Sequence, residues 1–133
     1  MLFRSDKPKD VSELGIRLSW PSKGDVIDRF DDNKNKGIDI AGKVGDPVQS
    51  AADDKVVYAG NSLRGYGNLV IVKHDNTYLT AYAHNKTLLV KEGDMVKKSQ
   101  KIAEMGNTDA DRVKLHFELR KNGKPVDPIA YLP

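Results

Sequence analysis

Three histidines, His74, His84 and His116, are the side chains of this chain that titrate near neutral pH and ligate metals, and no cysteine accompanies them. Without cysteine, disulfides, thiolate zinc sites and cysteine nucleophiles are excluded. His116 alternates with Phe117, so it shares a strand face with Lys114 and Glu118. His84 follows Tyr82-Ala83 at a strand end. His74 opens the turn His74-Asp75-Asn76-Thr77 and reads as an exposed turn residue. Asp39 stands between two isoleucines in Gly37-Ile38-Asp39-Ile40-Ala41. Its side chain points opposite to both of them, into a cleft or, by default, into solvent. Histidine and carboxylate together are the raw material of a metal site or a general base. A lone histidine on a strand more often has a structural hydrogen bond.

The elements that must position these residues are strands. Val26–Phe30, Lys55–Ala59, Leu69–Lys73, Tyr78–Tyr82 and Leu115–Arg120 carry the β-branched and alternating patterns of a sheet. Asp75-Asn76 predicts a hairpin between the third and fourth of these, and Asn122-Gly123 a hairpin after the fifth. Long helical periodicity is absent. Asp127 followed by Pro128 predicts a short C-terminal helical turn. The fold class is therefore all-β, mainly antiparallel.

A weak repeat runs through the chain. Gly45-Asp46-Pro47-Val48 leads to Tyr58-Ala59-Gly60, and Gly93-Asp94-Met95-Val96 leads to Glu104-Met105-Gly106. This predicts two related hairpin units in one barrel-like sandwich. A biotinyl- or lipoyl-type carrier shares such a repeat. It needs a lysine at the hairpin tip, and Ala103-Glu104-Met105-Gly106 has none. Residues 1–19 are expected to be a linker or leading segment, and the domain proper is 20–133.

At 133 residues, with 38% hydrophobic and 31% charged, the chain has the composition of one globular domain. No apolar stretch approaches the roughly 20 residues of a membrane helix, and the start lacks an apolar run of signal-peptide length. A cytoplasmic protein or a processed piece is expected from that start. The net charge of +3, from 22 basic and 19 acidic residues, is too balanced for a nucleic-acid surface. No aromatic interleaves a basic run, so nucleic acid is not an expected partner.

Three segments in order carry a family resemblance: Asn35-Lys36-Gly37-Ile38-Asp39, Tyr82-Ala83-His84, and Lys114-Leu115-His116. They resemble the motifs His-x-Gly-x-Asp, Tyr-(Ala/Gly)-His and His-x-His of the LytM/lysostaphin-type zinc endopeptidases, which cut peptide cross-links of bacterial peptidoglycan. The resemblance runs from about Trp20 to Leu132 and implies a duplicated barrel-sandwich hybrid fold. It implies that zinc would be held at the positions of Asn35, Asp39 and His116. His84 and Lys114 would take the places of the histidines that position or activate water.

Two of those positions are changed, and both changes act against zinc. A catalytic zinc site needs three protein ligands and an open position. An asparagine amide oxygen is a neutral, hard donor better suited to calcium or magnesium. From the 10–16 kcal/mol of a four-ligand zinc site, one ligand is worth about 3 kcal/mol, or roughly a hundredfold in affinity. Lys114 is protonated near neutral pH, so it is no base. At 4–6 Å and an effective dielectric near 20, it would cost a cation about 3 kcal/mol per unit charge. The zinc site is expected to be lost, leaving no cofactor.

An intact framework with a degenerate site is similar to the NlpD/EnvC-type LytM proteins of Gram-negative bacteria, most of all the NlpD branch. That resemblance implies a catalytically inactive domain that binds and activates a periplasmic N-acetylmuramoyl-L-alanine amidase during cell separation. It also implies a periplasmic, cell-envelope location, with membrane contact only through a lipid anchor outside this chain. The partner groove would be lined by Asp39, Tyr66, Tyr82, His84, Lys114 and His116, with the tyrosines as aromatic anchors or, alternatively, as sheet-packing residues. A working zinc endopeptidase and a passive peptidoglycan-binding module are the rival readings.

Overall fold

The computed structural model describes residues 15–133, which form a ten-stranded antiparallel sheet closed by a C-terminal 3-10 turn. The strands are β1 (Val26–Asp28), β2 (Ile38–Ala41), β3 (Pro47–Gln49), β4 (Asp54–Gly60), β5 (Asn68–Lys73), β6 (Tyr78–Leu88), β7 (Met95–Val96), β8 (Lys101–Met105), β9 (Lys114–Lys121) and β10 (Lys124–Val126). Their main order is β1-β2-β9-β6-β5-β4-β7. β10 pairs with β9, and β8 lies between β3 and β6.

The turn chemistry works as its residues predict. Asp75 accepts from the amides of Thr77 and Tyr78, both at 2.8 Å, and so closes the β5–β6 hairpin. Asn122 (φ 52°) and Gly123 (φ 82°) both take positive φ between the paired Lys121 and Lys124, as a type I′ turn requires. Asp127 caps the 3-10 turn Pro128–Tyr131 by accepting from the Ile129 amide at 3.0 Å.

The repeat is structural. Asp46 accepts from the Lys43 amide at 2.9 Å and Asp94 from the Lys91 amide at 3.0 Å. Gly45 (φ 91°) donates to the Met105 carbonyl, and Gly93 (φ 97°) donates to the Val56 carbonyl. Met105 and Val56 donate back to the carbonyls of Asp46 and Asp94, all four bonds at 2.8 Å. The two units interlock: β3 pairs with β8 of the second unit, and β7 pairs with β4 of the first. Each unit therefore completes the other.

One face of the sheet builds the core. Ile38, Ile40, Val70, Val72, Tyr82, Leu115, Phe117 and Leu119 are buried there together. Leu18 joins them at 1% exposure, its amide bonded to the Tyr131 carbonyl at 3.1 Å, and Ser19 bonds Ala51 at 2.8 Å. These contacts tie residues 18 and 19, ahead of the expected boundary at Trp20, to the strands. Residues 1–14 of the expected leading segment lie outside the described residues. His74 also departs from expectation. It is half-buried, with Nδ1 on the Asp53 carbonyl at 2.6 Å and Nε2 on the Thr80 hydroxyl at 2.8 Å.

Candidate functional site

The opposite face of β2, β9 and β6 carries the chemistry. In register, Asp39 faces His116, Ala41 faces Lys114, and on the other side of β9 Ala83 faces His116. Strand alternation puts Ile38 and Ile40 into the core and Asp39 onto this second face. A Cβ at Gly37 would collide with the Phe117 carbonyl oxygen, so glycine is what lets the chain enter β2 against β9.

The cleft floor is a chain of alternating charge. Lys114 Nζ lies 3.1 Å from Asp39 Oδ2, and His116 Nδ1 lies 2.6 Å from Asp39 Oδ1. His116 Nε2 lies 2.8 Å from Glu118 Oε2. Arg120 closes the row with Nε and Nη2 donating to Glu118 Oε1 at 2.9 and 2.6 Å. The Tyr66 hydroxyl donates to Glu118 Oε2 at 3.0 Å. Asp39, expected in solvent by default, is 6% exposed.

Burial alone would push Asp39 up, but the hydrogen bond and charge of His116, then those of Lys114, hold it below the usual carboxylate range. Burial likewise opposes ionisation of Glu118, and His116 and Arg120 outweigh it, so Glu118 is also lowered. For His116 burial favours the neutral ring, yet the two carboxylates raise it to about 9. A carboxylate at each ring nitrogen makes His116 a double donor, an imidazolium. Burial and the neighbouring Glu118 raise the Tyr66 phenol.

His84 reaches the same cleft by a local distortion. It holds φ 70°, where a non-glycine side chain is uncommon, and the β5–β6 register shifts beside it. Its amide donates to the Tyr66 carbonyl at 2.8 Å. Its Nδ1 lies 2.7 Å from the Thr108 carbonyl, which only accepts, so Nδ1 carries the proton and Nε2 a lone pair. Burial keeps this ring neutral by lowering its pKa, and the His116 and Lys114 charges act the same way. The His84 and His116 ring centroids are 6.0 Å apart.

The bulge puts Tyr82 and His84 on different faces. Along a regular strand Tyr82 and His84 would share a face. Here Tyr82 is fully buried in the core, 5.4 Å from the Phe117 ring. Its hydroxyl accepts from the Ala51 amide at 2.8 Å and meets the Thr80 hydroxyl at 2.7 Å. Tyr82 is a packing residue and does not line the groove.

The cleft encloses about 640 Å³ and brings together Asn35, Asp39, Tyr66, His84, Lys114 and His116. Sequence reasoning did not assign Glu118, Arg29, Lys34 and Lys36, which also line it, or Arg120 behind Glu118. Glu118 and Arg120 are visible in hindsight as the continuation of Lys114 and His116 at every second position of β9.

These side chains do not fit zinc. Both His116 nitrogens and both Asp39 oxygens are engaged within the row. The Asn35 amide fastens its own loop, Nδ2 donating to the Arg29 carbonyl at 3.2 Å and Oδ1 accepting from Gly37 at 3.4 Å. Among the described residues no three His, Asp or Glu side chains are arranged to hold a metal ion.

Comparison with known proteins places this geometry. The model of Peptidase family M23 matches residues 33–128. The chain is 62% identical over 117 residues to a lipoprotein NlpD/LppB homolog of Pseudomonas aeruginosa, covering 86% of this chain and 39% of that protein. It is 56% identical over 116 residues to murein hydrolase activator NlpD of Escherichia coli, covering 86% of this chain and 31% of that protein. It thus spans well under half of these relatives. Among solved structures, a zinc-containing peptidase from Vibrio cholerae superposes with a TM-score of 0.77 at 32% identity, over 86% of this chain and 40% of that one. Lysostaphin from Staphylococcus simulans gives 0.70 at 29% identity, over 81% and 47%. With the cleft built where the three motif segments converge, and with the family match spanning all three, the chain belongs to Peptidase family M23.

Proposed function

We propose that this chain is a catalytically inactive M23 domain that activates a peptidoglycan hydrolase by binding it through the Asp39–His116 cleft. The observation that carries the reading is the engagement of both His116 ring nitrogens by Asp39 and Glu118, with Lys114 against the same Asp39. No lone pair is left on that imidazole for a metal. What remains is a charged, partly aromatic cleft with Tyr66 on its wall and Arg29, Lys34 and Lys36 at its margin, suited to a protein segment. The names of the relatives, murein hydrolase activator and NlpD/LppB lipoprotein, support the same role.

The hydrolase is a periplasmic N-acetylmuramoyl-L-alanine amidase, and the setting is septal peptidoglycan during daughter-cell separation. The location is the envelope of a Gram-negative bacterium, in keeping with relatives named as outer membrane lipoproteins. The test is release of soluble fragments from dye-labelled peptidoglycan. No release by the domain alone, and release well above the amidase's own level when both are present, is the expected result. Chelator-sensitive release by the domain alone would mean a working endopeptidase. Wall binding with no effect on any amidase would mean a passive binding module.

A further inference from the structure

The loop between β8 and β9 reaches the cleft through one residue, Thr108. The Thr108 hydroxyl accepts from the Asn68 amide at 3.0 Å and donates to the Asn85 carbonyl at 2.9 Å. Asn68 and Asn85 are partners where the β5–β6 register shifts. They also clasp each other: Asn68 Nδ2 donates to the Asn85 carbonyl at 2.9 Å, and Asn85 Nδ2 to the Asn68 carbonyl at 3.0 Å. With its side chain fixed there, Thr108 turns its own carbonyl onto His84 Nδ1 at 2.7 Å. Gly67 packs against both groups, and a Cβ there would collide with the Thr108 hydroxyl and carbonyl oxygens. His84 holds φ 70°, and an uncommon backbone conformation persists only where its surroundings fix it. The Thr108 carbonyl on its ring and the Tyr66 carbonyl on its amide are those fixings.

Holding Nδ1 decides what Nε2 offers the cleft. With the proton on Nδ1, Nε2 keeps its lone pair. Among the described residues, the buried side-chain atoms without a partner are Ser22 Oγ and Asn85 Oδ1. His84 Nε2 has no partner either and is not one of them, so it opens to the cleft that His84 lines. Its neighbours Asp39, Lys114, His116 and Glu118 are bonded to one another.

We propose that Thr108 is a positioning residue that presents His84 Nε2 to the cleft as an acceptor, and that the docked segment places a neutral N–H or O–H donor on it. This rests on the cleft being the docking site proposed above. A carboxylate would set lone pair against lone pair. The His116 imidazolium and the Lys114 ammonium outweigh Asp39 at this ring and repel an ammonium or guanidinium. A backbone amide, a Ser or Thr hydroxyl, or an Asn or Gln amide meets neither objection.

The test is NMR of the ring nitrogens in the histidine-labelled domain, beside dye release with a periplasmic N-acetylmuramoyl-L-alanine amidase. In the wild type the His84 proton should sit on Nδ1, the tautomer that free histidine disfavours. Thr108→Val keeps the side-chain shape and removes both hydroxyl bonds, so the carbonyl loses its anchor and the ring should shift toward Nε2–H. The domain concentration for half-maximal activation should then rise about two- to tenfold, the worth of one hydrogen bond. Thr108→Ser should restore both the tautomer and the half-maximal concentration. On addition of the amidase, the wild-type His84 Nε2 resonance should move toward a hydrogen-bonded position, and those of His74 should stay. A merely structural Thr108 would lower Tm in Thr108→Val and leave the tautomer and the activation per folded molecule unchanged, which would overturn the proposal. Activation with an unmoved His84 Nε2 resonance would overturn it too, while the cleft remained the docking site. Neither binding nor activation by the wild type would remove the docking site itself, and the proposal with it.

Discussion

His116 and Asp39 stand opposite each other in the β2–β9 register, with Nδ1 and Oδ1 2.6 Å apart and Glu118 on the far ring nitrogen at 2.8 Å. A histidine clamped by two buried carboxylates is a fixed cation. It should titrate at about 9 when followed by NMR of the ring protons. Because the folded pKa is raised, the stabilisation is complete below the unfolded value near 6.5 and is lost as pH rises through about 9. Thermal unfolding between pH 6 and 10 should show Tm falling over that window, and His116→Gln should flatten it. An ordinary midpoint near 6.5 would show that the clamp does not exist in solution.

The acid side has a different origin. Burial lowers the pKa of His74 against the Asp53 carbonyl and the nearby acidic side chains, and burial lowers that of His84. Histidines kept neutral in the fold are charged more readily in the unfolded chain, so stability falls as pH drops below about 6.5. His74→Gln, which keeps a donor and an acceptor near Thr80, should reduce that slope and leave the alkaline limb intact. Equal acid slopes in the two proteins would remove His74 from the account.

Tyr66 and Tyr82 should part company on mutation. Tyr66→Ala should cost about 1 kcal/mol of stability, since its ring is only half-buried at the cleft wall. It should abolish most of the amidase activation. Tyr82→Ala should cost about 3–5 kcal/mol, as for a large aromatic removed from a core. Tyr82→Phe, losing only the bonds to Ala51 and Thr80, should cost about 1–3 kcal/mol. Activation per folded molecule should survive Tyr82→Phe. Urea unfolding alongside dye release separates the two effects.

That contrast marks what the sequence made legible. Asp39, Lys114 and His116 were readable because strand alternation alone assigns their face. The turns at Asp75, Asn122 and Asp127 were readable because their chemistry is local. The placement of Tyr82 depended on a positive φ at His84, a residue that does not advertise one as glycine would. The interlock of β3 with β8 and of β4 with β7 was hidden because periodicity identifies a strand and says nothing of its partner. Strand alternation puts Glu118 and Arg120 on the face of His116, but only the burial of Glu118, at 2%, shows it to be the hub of the cleft floor.

Glu118 is the residue on which the floor turns. Glu118→Gln removes the charge that His116, Arg120 and Tyr66 share. Breaking a buried pair by one partner costs about 3–5 kcal/mol. The retained amide oxygen still accepts one bond, so the lower end is expected. The His116 midpoint should fall from about 9, because one of its two carboxylates is gone. If Glu118 were a mere surface charge, neither Tm nor the midpoint would move.

Metal addition and removal give the last expectation. A site binding zinc at one hundred times its Kd would add about 2.7 kcal/mol to stability. The wild-type domain should show no Tm change with zinc or with chelator, since both His116 nitrogens are held by carboxylates and the Lys114 ammonium sits against Asp39. Asn35→His with Lys114→His supplies two imidazoles and removes the ammonium from Asp39. It should still bind zinc weakly, because the metal must first displace His116 from Asp39 or Glu118. If the double variant alone took up stoichiometric zinc at micromolar concentration, the carboxylate clamp would be too weak to keep zinc from the cleft, and Asn35 and Lys114 would be the residues that decide it.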